Sequence, residues 1–243
     1  MAYDCINGYL FGIIRRLILD VWEKSIMSDY YSEIQKVVNS ALEELANEHA
    51  SGKLINSPVT NNHFLVRWVT KAIKTQRFGK TTSANLIQWQ KSGRSKGNDS
   101  MLEPLFKRIS AYYAEFFSGD VQPVTDAKIE QFIEDMEAAG WGVCTSEILT
   151  DGSKVQFFTD GHNSFALCAN QCDDCFDAEN LVKPMSWFVR GNHAEFVTKA
   201  YEAGFMLHKR TDYKSKVKYH GEYLIYPMNK GTQLAEIPLS FKV

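Results

Sequence analysis

The sequence predicts an α+β fold in which a mostly helical N-terminal half is joined to a smaller C-terminal half of mixed helices and strands. Before residue 118, apolar residues recur every three or four positions, which is the helical repeat. After residue 124, short apolar runs alternate with turn residues and helix-capping signals. With 243 residues, of which 44% are hydrophobic, the chain can bury a core as one large or two small domains.

Four helices are predicted in the N-terminal half. The first covers 29–50, where Ile34, Val38 and Leu45 share one face, and it ends near Gly52. A second helix follows Pro58, and a third begins after a glycine-containing turn at 78–80. The fourth carries an apolar stripe from Leu102 to Phe116 behind the capping residues 98–100. These helices predict a helical domain over 27–118.

The linker 118–123 then leads to a predicted α+β domain over 124–243. Thr125 can cap a helix that ends at Gly140, and Asn192 with Glu195 forms a capping box for a helix closed by Gly204. Strands are predicted at 154–159, 165–168 and 187–189. A hairpin is predicted from strands 216–219 and 222–226, with its two-residue turn at His220-Gly221.

The first 26 residues form a separate N-terminal extension. Arg15 and Arg16 interrupt its apolar run, which is too short for a membrane span of about 18 residues, and Asp4 is unlike the start of a secretory signal. Two alternatives stay open, a packing or partner helix and a segment upstream of a true start at Met27. An odd number of cysteines, five, and no signal favour a cytoplasmic protein with no membrane partner.

Charge is segregated along the chain although the formal net charge is only −2. Residues 51–118 carry 11 basic and 3 acidic side chains, whereas residues 119–182 carry 2 basic and 13 acidic ones. Either the two segments neutralise each other within the fold, or a basic face remains free to meet a polyanion.

The basic segment predicts a nucleic-acid-binding surface between residues 61 and 97. Two helices joined by a glycine-containing turn indicate a helix-turn-helix, whose second helix enters a major groove. Polar and basic side chains there would contact bases and phosphates. The residues predicted for this site are Lys71, Lys74, Arg77, Lys80, Asn85, Gln88, Lys91, Arg94 and Lys96. Such helix pairs and surface lysines also occur in proteins that bind no nucleic acid, so that alternative stays open.

A cluster of cysteines predicts a structural zinc site, because a C-x-x-C pair is a common zinc half-site. The predicted ligands are Cys168, Cys172, Cys175 and Cys144, with His162 as an alternative fourth ligand. Partly buried thiols without metal are the competing interpretation. A redox role is disfavoured, since Asp173 and Asp174 would raise the pKa of the neighbouring thiols.

The sequence contains no serine-hydrolase elbow, P-loop, H-E-x-x-H or dinucleotide motif. A histidine beside Asp160, Glu195 or Glu222 would form an acid/base pair only if the fold brought them together, in a cleft between the halves. We therefore favour a non-catalytic regulatory or accessory protein that binds nucleic acid. The alternatives are a module that docks a basic protein partner through the acidic segment, and an enzyme with such a histidine and carboxylate site.

Three strings together carry a family resemblance: NNHFLVRWVTK at 61–71, GRSKG at 93–97 and KVKYHGEY at 216–223. With them, the chain resembles a bacterial family of domains of unknown function, number 2913 in that series. The resemblance covers about residues 27–243 and leaves 1–26 outside. It implies a cytoplasmic bacterial protein, and it implies no activity, cofactor or catalytic residue.

Overall fold

The computed structural model describes residues 30–119, 121–151, 154–155, 162–214 and 219–243. Within these ranges, seven α-helices, mostly in the N-terminal half, and a five-stranded mixed sheet in the C-terminal half confirm the predicted α+β class. The predicted extension 1–26 lies outside the described residues, as does most of the strand predicted at 154–159.

The four predicted N-terminal helices are present. They are α1 (30–50), α2 (Pro58–Lys74), α3 (Ser83–Lys96) and α4 (Leu102–Phe116). Ser57 caps α2, because its hydroxyl accepts a hydrogen bond from the backbone N–H of Thr60 at 3.3 Å, and Pro58 occupies the first helical position, where no N–H is needed. The cap of α4 differs from the prediction: the side-chain oxygen of Asn62, in α2, accepts from the backbone N–H of Leu102 at 3.0 Å.

The inward faces of these helices form one hydrophobic core. Trp68 and Trp89 are 5% and 3% exposed, so both are core residues rather than exposed stacking platforms. Trp89 packs on Phe106 with ring centroids 4.7 Å apart. Each large side chain buried in this way contributes about 1.5–3 kcal/mol. The helical half therefore has enough buried surface to hold its outer helices rigidly.

The C-terminal half contains three helices and the sheet. In chain order its elements are α5 (Asp126–Ala138), β1 (Gly142–Cys144), β2 (Thr150–Asp151), β3 (Lys154–Val155), β4 (Ser164–Leu167), α6 (Ala169–Asp174), β5 (Phe176–Asp177), β6 (Asn180–Leu181), β7 (Met185–Arg190), α7 (His193–Glu202), β8 (His208–Lys214) and β9 (Tyr219–Ile225). The sheet order is β1-β4-β7-β9-β8, with β1 and β4 parallel and the other pairs antiparallel. The pairs β2-β3 and β5-β6 form separate small ladders.

The predicted helix caps in this half are confirmed. The Thr125 hydroxyl accepts from the backbone N–H of Lys128, and the Asn192 side chain accepts from that of Glu195. Gly140 and Gly204 follow α5 and α7 with φ of 83° and 78°, a conformation that glycine adopts without strain.

The predicted turn at His220-Gly221 is wrong. Both residues lie inside β9, where His220 pairs with Tyr213 of β8 and Gly221 pairs with Asp212. Glycine is needed at this point for packing, because a Cβ on Gly221 would lie 2.8 Å from the ring of His193. A glycine in a strand can mark a close approach of another group as well as a turn.

Helices α5 and α7 cover one face of the sheet, where Phe132 stacks on Trp187 with ring centroids 5.2 Å apart. The C-terminal segment after β9 then returns to the helical half. There the backbone N–H of Ala235 donates to the Tyr113 hydroxyl at 3.1 Å, and Tyr112 meets Phe241 edge to face. In the part of the chain that the structure describes, no helix combines the length and hydrophobicity needed to cross a membrane.

Candidate nucleic-acid interface

Helices α2 and α3 lie side by side in opposite directions. The Asn62 amide of α2 donates to the Gly97 carbonyl at 2.7 Å, and further along α2 the Thr70 hydroxyl accepts from Gln90 at 3.1 Å. Between these contacts Gly93 lies against Val66, where a Cβ on Gly93 would come within 2.3 Å of a Val66 methyl. Because position 93 has no side chain, the two helices stay in contact along their lengths.

This arrangement differs from the predicted helix-turn-helix, whose helices cross at about 90–120°. An antiparallel pair presents the sides of both helices together, rather than one protruding recognition helix. A nucleic-acid-binding surface here would therefore be shared between α2 and α3.

The outward sides of α2 and α3 carry cations at helical spacing. Arg67, Lys71 and Lys74 recur every three or four residues on α2 and are exposed, and so are Lys91 and Arg94 on α3. Lys80 and Lys96 are exposed at the two ends of α3. We call this set the cationic face: Arg67, Lys71, Lys74, Lys80, Lys91, Arg94 and Lys96.

The described carboxylates do not neutralise the cationic face through ion pairs. There is no Asp or Glu between residues 51 and 98, and among the described residues no carboxylate forms an ion pair with any of its seven members. Arg77 behaves differently, because it pairs with Glu44 of α1 and lies over the rings of Trp68 and Phe78 at 5.3 Å from each centroid. It remains partly exposed, but its guanidinium is already engaged within the protein.

Two of the amide side chains of α3 are engaged inside the protein. Asn85 is buried and accepts a hydrogen bond from the Tyr30 hydroxyl at 2.9 Å, so its prediction as a contact residue is corrected. Gln90 donates to Thr70, whereas Gln88 is exposed as predicted. The face thus offers cations for phosphates, and Gln88 is its exposed amide group for base edges.

Sequence reasoning missed Arg67, although a signal was present. It lies four residues before Lys71, and this spacing places both on the same side of a helix. Arg67 also lines a cleft of about 430 Å³ that opens between the start of α2 and the end of α3. His63 shares this wall, and Gly93 and Gly97 form part of the other.

The four described cysteines divide between two hydrophobic clusters. Cys168 packs with Cys144 on one side of the sheet, and Cys172 and Cys175 pack with the core on the other. Among the described residues, no three His, Cys, Asp or Glu side chains converge as a metal-binding group. The zinc prediction thus gains no support from the geometry, and metal analysis of the purified protein is its test.

Two of the thiols, Cys172 and Cys175, have raised pKa values. Burial, together with the carboxylate of Asp173, raises the pKa of Cys172 to about 11. Burial also raises the pKa of Cys175, whose thiol contacts the Pro184 carbonyl oxygen at 3.6 Å. A raised pKa reduces the thiolate fraction, which agrees with the prediction that these cysteines are poor nucleophiles.

The cleft between the halves, of about 420 Å³, is lined by Lys128, Tyr201, Glu115 and Glu202 among others, and no described histidine lines it. Lys128 is held there by the Gly204 carbonyl, at 3.1 Å, and burial lowers its pKa. The predicted pairing of histidine and carboxylate therefore does not occur in this cleft.

The Glu222 carboxylate, one of the candidate acid/base groups, is instead the centre of a buried network on the sheet. It is 2% exposed and accepts from Ser186 and Tyr213 at 2.7 Å each and from Arg210 at 2.9 Å. His220 stacks on Tyr213, with ring centroids 4.8 Å apart. With three donors already bound, this carboxylate stabilises the sheet rather than facing an open site.

An acidic face lies on the other half of the molecule. Its exposed carboxylates on α5 are Asp126, Glu130, Glu134, Asp135 and Glu137, and those around α6 are Asp173, Asp174, Asp177 and Glu179. None of the ion pairs among the described residues involves them. Among the described residues, the acidic and basic segments therefore do not neutralise each other through ion pairs.

Comparison with known proteins agrees with the resemblance noted in the sequence. No curated protein and no solved structure matches the chain. A family model described as "Protein of unknown function (DUF2913)" matches residues 29–238, which include both halves of the fold and the whole cationic face. The chain therefore belongs to the DUF2913 family.

Proposed function

We propose that this protein binds nucleic acid through its backbone phosphates, using the cationic face of α2 and α3. The observation that carries the proposal is a set of seven exposed cations, six on two antiparallel helices and Lys80 in the 3₁₀ turn before α3, with no carboxylate partner among the described residues. Cations that are not paired internally release counterions from a polyanion without first breaking an ion pair of their own.

The same geometry favours binding that depends little on base sequence. Phosphate contacts fix the position of a protein on nucleic acid, whereas contacts with base edges give specificity. Because Asn85 is buried and Gln90 is engaged with Thr70, two amide side chains of α3 are not available to pair with adenine. The role that follows is that of an accessory protein that coats or positions nucleic acid.

The acidic face supports a docking function less strongly. Soluble proteins commonly carry exposed carboxylates that do no more than keep them in solution. A protein partner bound there would need a basic surface of its own. We therefore favour nucleic acid over a basic protein as the partner.

The test is the salt dependence of binding to two short DNA duplexes of unrelated sequence. If all seven cations contact phosphates, the plot of log K against log salt has a slope of about −6, and both duplexes bind alike. The variant K71Q/K74Q/K91Q should make the slope shallower by about three units. A matched control, K183Q/K199Q/K209Q, removes the same charge from the sheet half and should leave the slope unchanged.

Two results would refute the proposal. One is retention that does not change between about 50 and 200 mM salt, because phosphate contacts always weaken in that range. The other is equal loss of affinity in both triple variants, which would indicate an effect of net charge rather than of this face.

A further inference from the structure

The cleft at one end of the cationic face differs from the rest of that face, because it is a concave site with polar and apolar walls. On the α2 side, Arg67 and His63 lie one helical turn apart and can both donate hydrogen bonds to an anion. Leu54 and Val66 supply apolar surface beside them. None of the residues that line the cleft is acidic.

The α3 side of the cleft is open because it is built from glycine. At Gly97 a Cβ would meet nothing within 4 Å, so this position leaves space rather than filling it, and its φ of 54° suits glycine. Gly93 brings the backbone of α3 close to α2. Arg94 follows Gly93 and Lys96 precedes Gly97 along the chain, and both cations are exposed.

We infer that this cleft binds the phosphate of a nucleotide, either at the phosphorylated end of a strand or as a free mononucleotide. The inference rests on the proposed function and names the group that the cationic face takes at this end. The volume, about 430 Å³, is within the usual range of about 300–1,000 Å³ for small-ligand sites.

The charge of the ligand explains why the cleft would prefer the terminal phosphate of a strand to an internal phosphate. A terminal phosphate monoester carries about −1.5 to −2 charges and three strong acceptor oxygens, whereas an internal diester carries a single charge. The guanidinium of Arg67 suits two of these oxygens at once. Leu54 and Val66 can then contact the attached sugar or base.

The experiment compares one short DNA duplex with 5′-phosphate ends and the same duplex with 5′-hydroxyl ends. The wild-type protein should bind the phosphorylated duplex about tenfold more tightly, as expected for one charge-assisted contact. R67Q should reduce this preference to less than about twofold. K71Q removes an equal charge one turn further along α2, outside the cleft, and should keep the tenfold preference. Thermal unfolding of each variant verifies that it is folded.

Adenosine monophosphate and adenosine serve as probes for the source of the phosphate. Binding of the monophosphate that R67Q abolishes would support a free nucleotide as ligand, and preference for the phosphorylated duplex alone would support a strand end. Equal, salt-dependent binding of both duplexes to the wild-type protein would overturn the inference and leave the proposed function standing. A preference that R67Q retains would also overturn it, whereas failure to bind either duplex at low salt would remove both proposals.

Discussion

The cationic face of the helical half and the interior of the sheet half hold their titratable side chains in opposite environments. In the helical half, the cationic face points to solvent and pairs with no described carboxylate. In the sheet half, Glu222 and His208 are almost fully buried and hydrogen-bonded within the protein. Buried groups of this kind contribute to stability, whereas exposed charges contribute little to it and remain available to a partner. Exposure therefore separates groups that hold the fold from groups that can serve binding.

The largest stability effect is expected for Glu222→Ala in the sheet half. This change removes the acceptor of Ser186, Tyr213 and Arg210, and it leaves the buried Ser186 hydroxyl without this partner. We expect the free energy of unfolding to fall by about 4 kcal/mol, because three hydrogen bonds to a charged acceptor, each worth about 1.5–3 kcal/mol, are lost. Urea denaturation measures it.

Glu130→Ala is the matched control, because Glu130 is an exposed helical carboxylate of α5. It should change the free energy of unfolding by less than about 0.5 kcal/mol. If both variants lost the same amount, the contrast between buried and exposed carboxylates would be wrong.

A second prediction concerns pH and the buried histidine of β8. Burial lowers the pKa of His208 from 6.5 to about 4, although its ring Nδ1 bonds to the Gln233 carbonyl at 2.8 Å. Nε2 is buried without a hydrogen-bond partner among the described residues, and Gly231 packs directly against it. A proton therefore enters the unfolded chain more readily than the folded one.

Because of this difference, lowering the pH destabilises the folded protein. The stability that His208 contributes is complete above pH 6.5 and is lost as the pH falls toward 4, by about 3 kcal/mol in all and about 2 kcal/mol by pH 5. Burial also lowers the pKa of His193 and His220, which adds to the effect, and raises that of Glu236, which opposes it. Urea denaturation at pH 7 and pH 5 should show a smaller difference for H208Q than for the wild type, and an equal difference would disprove the assignment.

The third prediction tests the α2–α3 contact on which the cationic face depends. Gly93→Ala places a methyl group 2.3 Å from a Val66 side-chain carbon, and we expect a loss of about 2 kcal/mol in the free energy of unfolding. Without that clash, alanine would instead stabilise a helix by up to about 1 kcal/mol. The double variant G93A/V66A should therefore be about as stable as V66A alone, and the absence of such rescue would contradict the close approach.

Local signals in the sequence were sufficient to predict most of the helices. The helical repeat predicted α1, α2 and α4, and the capping residues Thr125 and Asn192 predicted where α5 and α7 begin. Such signals depend on neighbours within a few residues, so one sequence contains them. The exposure of Arg67, Lys71 and Lys74 could be predicted for the same reason, because helical spacing decides which side of a helix each residue occupies.

The errors arose where distant residues decide the outcome. Gly221 resembled a turn glycine, but His193, from another element, is what requires it. Asn85 resembled a surface group, but Tyr30 of α1 binds it in the core. The crossing angle of α2 and α3 likewise depends on the contact of Gly93 with Val66, which spacing along the chain does not reveal.

The smallest stability effect is expected on the cationic face itself. Lys71, Lys74 and Lys91 are exposed and have no ion pair with a described carboxylate, so K71Q/K74Q/K91Q should change the free energy of unfolding by less than about 0.5 kcal/mol. Removing like charges that repel one another can even raise it slightly. If the triple variant unfolded as readily as E222A, its loss of nucleic-acid binding would reflect a damaged fold. A variant that stays stable but binds nucleic acid more weakly would instead show that these lysines serve binding and contribute little to stability.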